Sequence, residues 1–162
     1  MSNVAVILSG CGFYDGAEIN EAVLTLLSLE QQGANYQCFA PDREQMHVIN
    51  HLTGEPVEGE TRNVLVEAAR IARGNIKPIT EASAADFDAL LVPGGFGAAK
   101  NLCDFAVVGD GMSVQPDFLQ LAQQFHQAGK PIGLICIAPV MAAAICGDGT
   151  RCTIGNDPDT AA

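Results

Sequence analysis

Pro131-Ile-Gly-Leu-Ile-Cys136-Ile-Ala-Pro139 reads as a short apolar strand that breaks at a cysteine and restarts as a helix. Pro139 has no N–H and a φ fixed near the helical value, so it suits the first turn of a helix. Cys136 therefore falls on a strand-to-helix turn. Its sulfur stands above the end of a sheet, where a helix N-terminus favours a thiolate. That is the placement a nucleophile needs; a buried structural cysteine is the competing reading.

Working outward, the same alternation recurs. Val4–Leu8 is a continuous apolar run, as in a strand covered on both faces. Glu18 to Gln32 places Ile19, Ala22, Val23, Leu26, Leu27 and Leu29 at helical spacing, with Gly33 as the stop. Tyr36–Ala40 reads as a second strand, residues 43–60 as an irregular surface excursion, and Thr61 to Arg73 as a helix. Phe87–Val92 is the next strand, followed by helices over Ala98–Phe105 and Pro116–Gln127. The Ile132–Ile135 strand, a helix over Val140–Ile145 and a short strand over Arg151–Ile154 complete the pattern. Apolar strands alternating with amphipathic helices predict β-α-β units and a mostly parallel sheet. Sites in such sheets lie beyond the carboxyl ends of the strands. Ser9-Gly-Cys-Gly12, Pro93-Gly-Gly95 and Cys136 converge there.

The 162 residues suffice for one domain with a substantial core, and 48% are hydrophobic. A net charge of −11 repels phosphate backbones and anionic lipid, which argues against nucleic-acid and membrane partners. The six cysteines form no C-x-x-C pair and suit a reducing compartment, with the cytoplasm as the default.

Glu18 and Glu21, three residues apart at a helix start, share a face on the same rim as Cys136. Either could exchange protons with the sulfur, although acids there also simply complement the helix dipole. Gly94 and Gly95 can turn backbone N–H groups inward and, with the N–H of Ile137, form an oxyanion hole. Cys11 and Gly12 are expected to line the same pocket, and Cys11 could resolve an oxidised Cys136. Gly10-x-Gly12-x-x-x-Gly16 with Asp42 imitates a dinucleotide fingerprint, but its spacing is wrong and Asp15 and Glu18 would repel a diphosphate. His47 and His51 have metal-ligand spacing only if helical, and His126 belongs on a polar helix face.

Ser9-Gly-Cys-Gly12, Tyr14-Asp-Gly16, Asn50-His-Leu-Thr-Gly54, Thr61-Arg-Asn63, Val92 to Asn101 and Cys136-Ile-Ala-Pro139 together resemble the ElbB group of the ThiJ/PfpI superfamily. The group is described as isoprenoid-biosynthesis proteins with an amidotransferase-like domain. The resemblance implies a flavodoxin-like three-layer α/β sandwich, class I glutamine amidotransferase-like, over residues 1–162. It also implies that the C-terminal segment of relatives is missing after Ala162. It implies an elbow nucleophile at Cys136 contacted by a glutamate of the first helix, with Glu21 favoured over Glu18. The implied activity is that of a cofactor-independent, metal-free type III glyoxalase converting glyoxal to glycolate. A small aldehyde would be its substrate and a homodimer its form. Superfamily deglycase activity and a non-catalytic, redox-sensing regulatory role are the alternatives. Ile137 stands where PfpI-type proteases have histidine, and no histidine follows His126, so the peptidase and glutaminase readings are weak.

Overall fold

Five parallel strands form the central sheet of the computed structural model, which describes residues 1–161, the side chains of Asp159 and Ala161 excepted. In chain order the elements are β1 (Asn3–Ile7), α1 (Ile19–Gln31), β2 (Asn35–Ala40), β3 (Ile49–Asn50), β4 (Glu55–Pro56), α2 (Val64–Ile71) and β5 (Ile76–Pro78). Then follow β6 (Ala89–Val92), α3 (Phe96–Asn101), α4 (Phe105–Val108), α5 (Pro116–Gln127), β7 (Ile132–Leu134), α6 (Ala142–Cys146) and α7 (Pro158–Ala161). The sheet runs β5-β2-β1-β6-β7, a doubly wound order in which the strands spread to either side of β1.

Side-chain alternation along the strands builds two cores. Val4, Val6 and Leu8 of the first strand region, with Cys38 and Ala40, pack under Ala22 and Leu26 of α1 and Val64 and Ala68 of α2. Ala5, Ile7, Phe39, Leu90 and Val92 point the other way, against Phe118, Leu121 and Phe125 of α5 and Met141 and Ile145. Helices on both faces make the three-layer sandwich expected from sequence. α1 packs on one face and α3 and α5 on the other, so the topology switches between β1 and β6. The crevice at their carboxyl ends is where such folds bind ligands.

Several elements differ from the sequence reading. Residues 43–60 hold a small hairpin, β3 with β4, closed by the Asn50 carbonyl, which accepts from the N–H of Gly54 at 2.7 Å. β5 is only three residues long and ends in proline, too short to show a period. The helix expected over Ala98–Phe105 is two, α3 and α4, because Leu102 and Cys103 leave the helix to pack into the core. Before α6 the chain makes a 3-10 turn over Ala138–Met141. Arg151–Ile154 forms no strand; the segment passes Pro139 without a ladder partner, and the Cys152 thiol reaches the Pro139 carbonyl at 3.8 Å.

Glycine contact, not glycine flexibility, welds the loop after β1 to α3. The Gly97 N–H donates to the Gly16 carbonyl at 2.8 Å, and a Cβ on Gly97 would lie 2.4 Å from the Gly16 carbonyl carbon. We expect Gly97→Ala to destabilise the fold by roughly 1–3 kcal/mol through overpacking, although alanine is normally the better helix former. Gly111→Ala, with open space around its Cβ, should stay within about 0.5 kcal/mol of the parent. Thermal unfolding of both variants checks this, and equal midpoints would contradict it.

Candidate active site

Cys136 follows β7 with φ 57°, the left-handed region that a side-chain-bearing residue seldom occupies. The turn lifts the side chain out of the sheet, and the residue is exposed. Strain of this kind persists only where the surroundings enforce it. Here the Ile135 N–H is held by the Val92 carbonyl at 3.0 Å on one side. On the other, the Ala138 N–H returns to the Ile135 carbonyl at 3.0 Å.

Glu21, in the first turn of α1, reaches the same point. Its Oε2 accepts from the Gly94 N–H at 2.9 Å. A Cβ on Gly94 would sit 2.7 Å from that oxygen and 2.5 Å from the Cys136 Cβ. The absent side chain of Gly94 is therefore what lets the carboxylate and the cysteine meet. The Glu21 carboxylate and the Cys136 side chain lie side by side, and the thiol's pKa is raised above the ordinary thiol value. Burial is the largest cause, followed by the Glu21 charge and the hydrogen bonding that carboxylate offers the thiol. The backbone N–H groups of Gly95 and Ile137, beside the sulfur, pull the other way.

This corrects the expectation of a thiolate favoured by a helix N-terminus. The helix behind Cys136 is a 3-10 turn and a five-residue α6, a small dipole, while a carboxylate sits directly beside the sulfur. Glu18 is placed differently again. It is the N-cap of α1, its carboxylate accepting from the Glu21 N–H at 2.7 Å, and its own N–H donates to the Gly94 carbonyl at 2.9 Å. It orients the turn that carries Glu21 and does not meet the sulfur. The Gly94 N–H is committed to Glu21, so the donors left to face a bound oxygen are those of Gly95 and Ile137.

A cavity of about 520 Å³ opens at Cys136, lined by Phe13, Gly95, Phe96, Phe105 and Ile137 among others. Its wall is largely apolar. Cys11 and Gly12 do not line it, contrary to expectation. Cys11 lies within the fields of Arg70, Glu67 and Asp15, its pKa raised mainly by burial. Gly12 packs on Asp15 and His51, which a Cβ would meet at 2.6 and 2.8 Å. The loop instead contributes Phe13, whose carbonyl accepts from the Phe96 N–H at 2.9 Å and whose ring meets that of Phe96 edge-on.

Three polar side chains hold this loop, a role their sequence context does not show. Asp15, 4% exposed, accepts from the Ile49 N–H at 2.8 Å. Buried Asn101 donates to the Ser9 and Asp15 carbonyls at 2.8 and 3.0 Å and accepts from the Met46 N–H at 3.0 Å. His51 accepts from the Tyr14 N–H through Nε2 at 3.1 Å, which leaves Nδ1–H to donate to the Ile49 carbonyl at 3.1 Å. With its own acid tucked inside, the glycine loop has no berth for a diphosphate. Asp42, the would-be ribose acid, accepts from the Asn63 side chain at 2.8 Å. His51 lies in a turn, and no metal-binding cluster occurs among the described residues. His126 is exposed in the last turn of α5. Cys38 and Cys103, by contrast with Cys136, are buried thiols pushed up to about 11 by burial, inert in ordinary conditions. Among the described residues no helix is long and apolar enough to cross a membrane.

The sequence profile of the DJ-1/PfpI family matches residues 11–158, and the chain belongs to that family. It is 54% identical over 158 residues to the human glutamine amidotransferase-like class 1 domain-containing protein 3, mitochondrial. That match takes in 98% of this chain and 59% of the relative. The ES1 protein homolog, mitochondrial, of Rattus norvegicus is 52% identical over the same shares. The chain thus spans less than two thirds of the curated relatives it matches. The crystal structure of an isoprenoid biosynthesis protein with amidotransferase-like domain from Ehrlichia chaffeensis superposes with a TM-score of 0.85 at 44% identity. It covers 92% of this chain and 70% of that one.

The strain at Cys136 has a measurable consequence. Glycine accepts φ 57° freely, whereas alanine inherits the cysteine's penalty. We therefore expect Cys136→Gly to exceed Cys136→Ala in stability by about 1 kcal/mol. Denaturant unfolding reads the difference; an alanine variant as stable as the glycine one would mean the elbow is relaxed.

Proposed function

We propose that this member of the DJ-1/PfpI family is a cofactor-independent, type III-like glyoxalase of the ElbB group, converting glyoxal to glycolate. The observation that carries the reading is the Glu21 carboxylate, held by the Gly94 N–H beside Cys136, at the mouth of a cavity that Gly95 and Ile137 also line. A nucleophile, a base and an oxyanion site within reach of one another are the parts that covalent aldehyde chemistry requires.

The raised thiol pKa defines how the first step runs. The sulfur rests protonated, and Glu21 takes its proton as sulfur attacks one carbonyl carbon. The oxygen of the resulting hemithioacetal is held by the N–H groups of Gly95 and Ile137. Glu21 then moves a proton from the attacked carbon to its neighbour through an enediol. The attacked carbon becomes a thioester while the other becomes an alcohol. Water cleaves the thioester and releases glycolate and the free thiol. The oxidation of one carbon balances the reduction of the other, so no redox cofactor enters.

A second reading, a non-catalytic redox-sensing protein linked to isoprenoid biosynthesis, draws support from the exposure of the Cys136 residue. Turnover separates the two. We expect glycolate from glyoxal with the parent chain and none with Cys136→Ser. Glu21→Gln should lower kcat by roughly 10²–10⁴-fold, the usual contribution of a positioned base. Equal turnover by Cys136→Ser, or none by the parent, would overturn the glyoxalase reading.

A further inference from the structure

α6 ends at Cys146, and the chain immediately doubles back. Gly147 and Gly149 take φ values of 96° and 82°, positions that side-chain-bearing residues avoid. Thr150 closes the reversal, its hydroxyl donating to the Gly147 carbonyl at 2.6 Å. The returning segment brings exposed Cys152 against the Pro139 carbonyl, 3.8 Å from the sulfur.

Cys146 faces the same place. Pro139, Ala142 and Cys146 stand at i, i+3 and i+7, one face of the continuous 3-10 and α6 segment. In a helix the Cα–Cβ bond leans toward the N-terminus, so the half-buried Cys146 side chain leans back toward Pro139. Both cysteines accordingly line one cavity of about 310 Å³, together with Leu134, Pro139 and Ala142. The remaining thiols are placed otherwise. Cys38 and Cys103 are buried, Cys11 does not line this cavity, and Cys136 stands beside Glu21.

We propose that Cys146 and Cys152 are a redox pair that closes a disulfide across the Gly147–Arg151 turn. The oxidant is a peroxide. Cys152, the more exposed, attacks one peroxide oxygen to form a sulfenic acid, releasing water from hydrogen peroxide. Cys146 then attacks the Cys152 sulfur, the S–S bond forms, and the sulfenic oxygen leaves as a second water. Two thiols lose two electrons and two hydrogens, and peroxide is reduced to two waters. The bond anchors the segment that continues as Thr153, Ile154 and Gly155, which lines a cavity shared with Cys136. Oxidation at this pair therefore fixes one wall beside the elbow without touching its sulfur.

Tryptic cleavage after Arg151 separates the two cysteines, which makes the bridge visible. After treatment with equimolar hydrogen peroxide, the Cys152 peptide should migrate joined to the peptide that ends at Arg151. The joined mass should be two hydrogens below the sum, and dithiothreitol should release the two. The link should survive Cys136→Ser and vanish in Cys146→Ser. Fragmentation of the joined wild-type peptide places the bridge independently of either variant. A bridge to Cys136 or Cys103, or a separate Cys152 peptide, oxidised or not, would overturn the proposal.

Discussion

One backbone position, Gly94, decides whether the site exists. Its N–H is held by the Glu21 carboxylate, its carbonyl accepts from the Glu18 N–H, and its missing side chain leaves room for the Cys136 Cβ. Three segments far apart in sequence are pinned at that one peptide: the first turn of α1, the end of β6 and the elbow after β7. A carboxylate bonded to a backbone N–H and packed beside the cysteine is held in place, so base and nucleophile arrive already oriented. Because each contact uses the same few atoms, any side chain at this position would push the carboxylate, the cysteine or both aside.

The parallel sheet supplies the frame for that meeting. β1, β6 and β7 are neighbours in the sheet, and their carboxyl ends deliver the glycine loop, Gly94 and Cys136 to one rim. The loop is rigid because it is internally satisfied. Asp15, Asn101 and His51 occupy its polar groups, and Gly16 abuts Gly97. What a nucleotide-binding fold would leave open for phosphate is filled here with the protein's own hydrogen bonds. Phe13 and Phe96 remain facing outward as an apolar rim.

Much of the frame was legible in the sequence. The apolar runs ending in Pro93-Gly-Gly95 and in Cys136, and the helical period after Glu18, suffice to order the layers and place the elbow. β5 and the β3–β4 hairpin were not legible, because segments of two or three residues carry no period. At the site, residue types and rim were readable, but not the division of labour. Glu18 and Glu21 look equivalent by spacing, and only the coordinates show one capping the helix and the other meeting the sulfur. Cys11 lies on the same loop as Phe13, yet only Phe13 reaches the cavity, in a stretch where Gly10 and Gly12 take positive φ. The sign of the thiol's shift was hidden for the same reason. It follows first from burial of the sulfur and then from the carboxylate beside it, and no local pattern records either.

The most direct test is to follow thiolate absorbance near 240 nm against pH for the parent chain and for Glu21→Gln, with Cys136→Ser as the blank for the other five cysteines. The account expects the parent's Cys136 to ionise above an ordinary thiol, and the neutral amide at position 21 to bring that midpoint down. A midpoint at or below the ordinary value in the parent, or one unmoved by Glu21→Gln, would show that carboxylate and sulfur are not coupled.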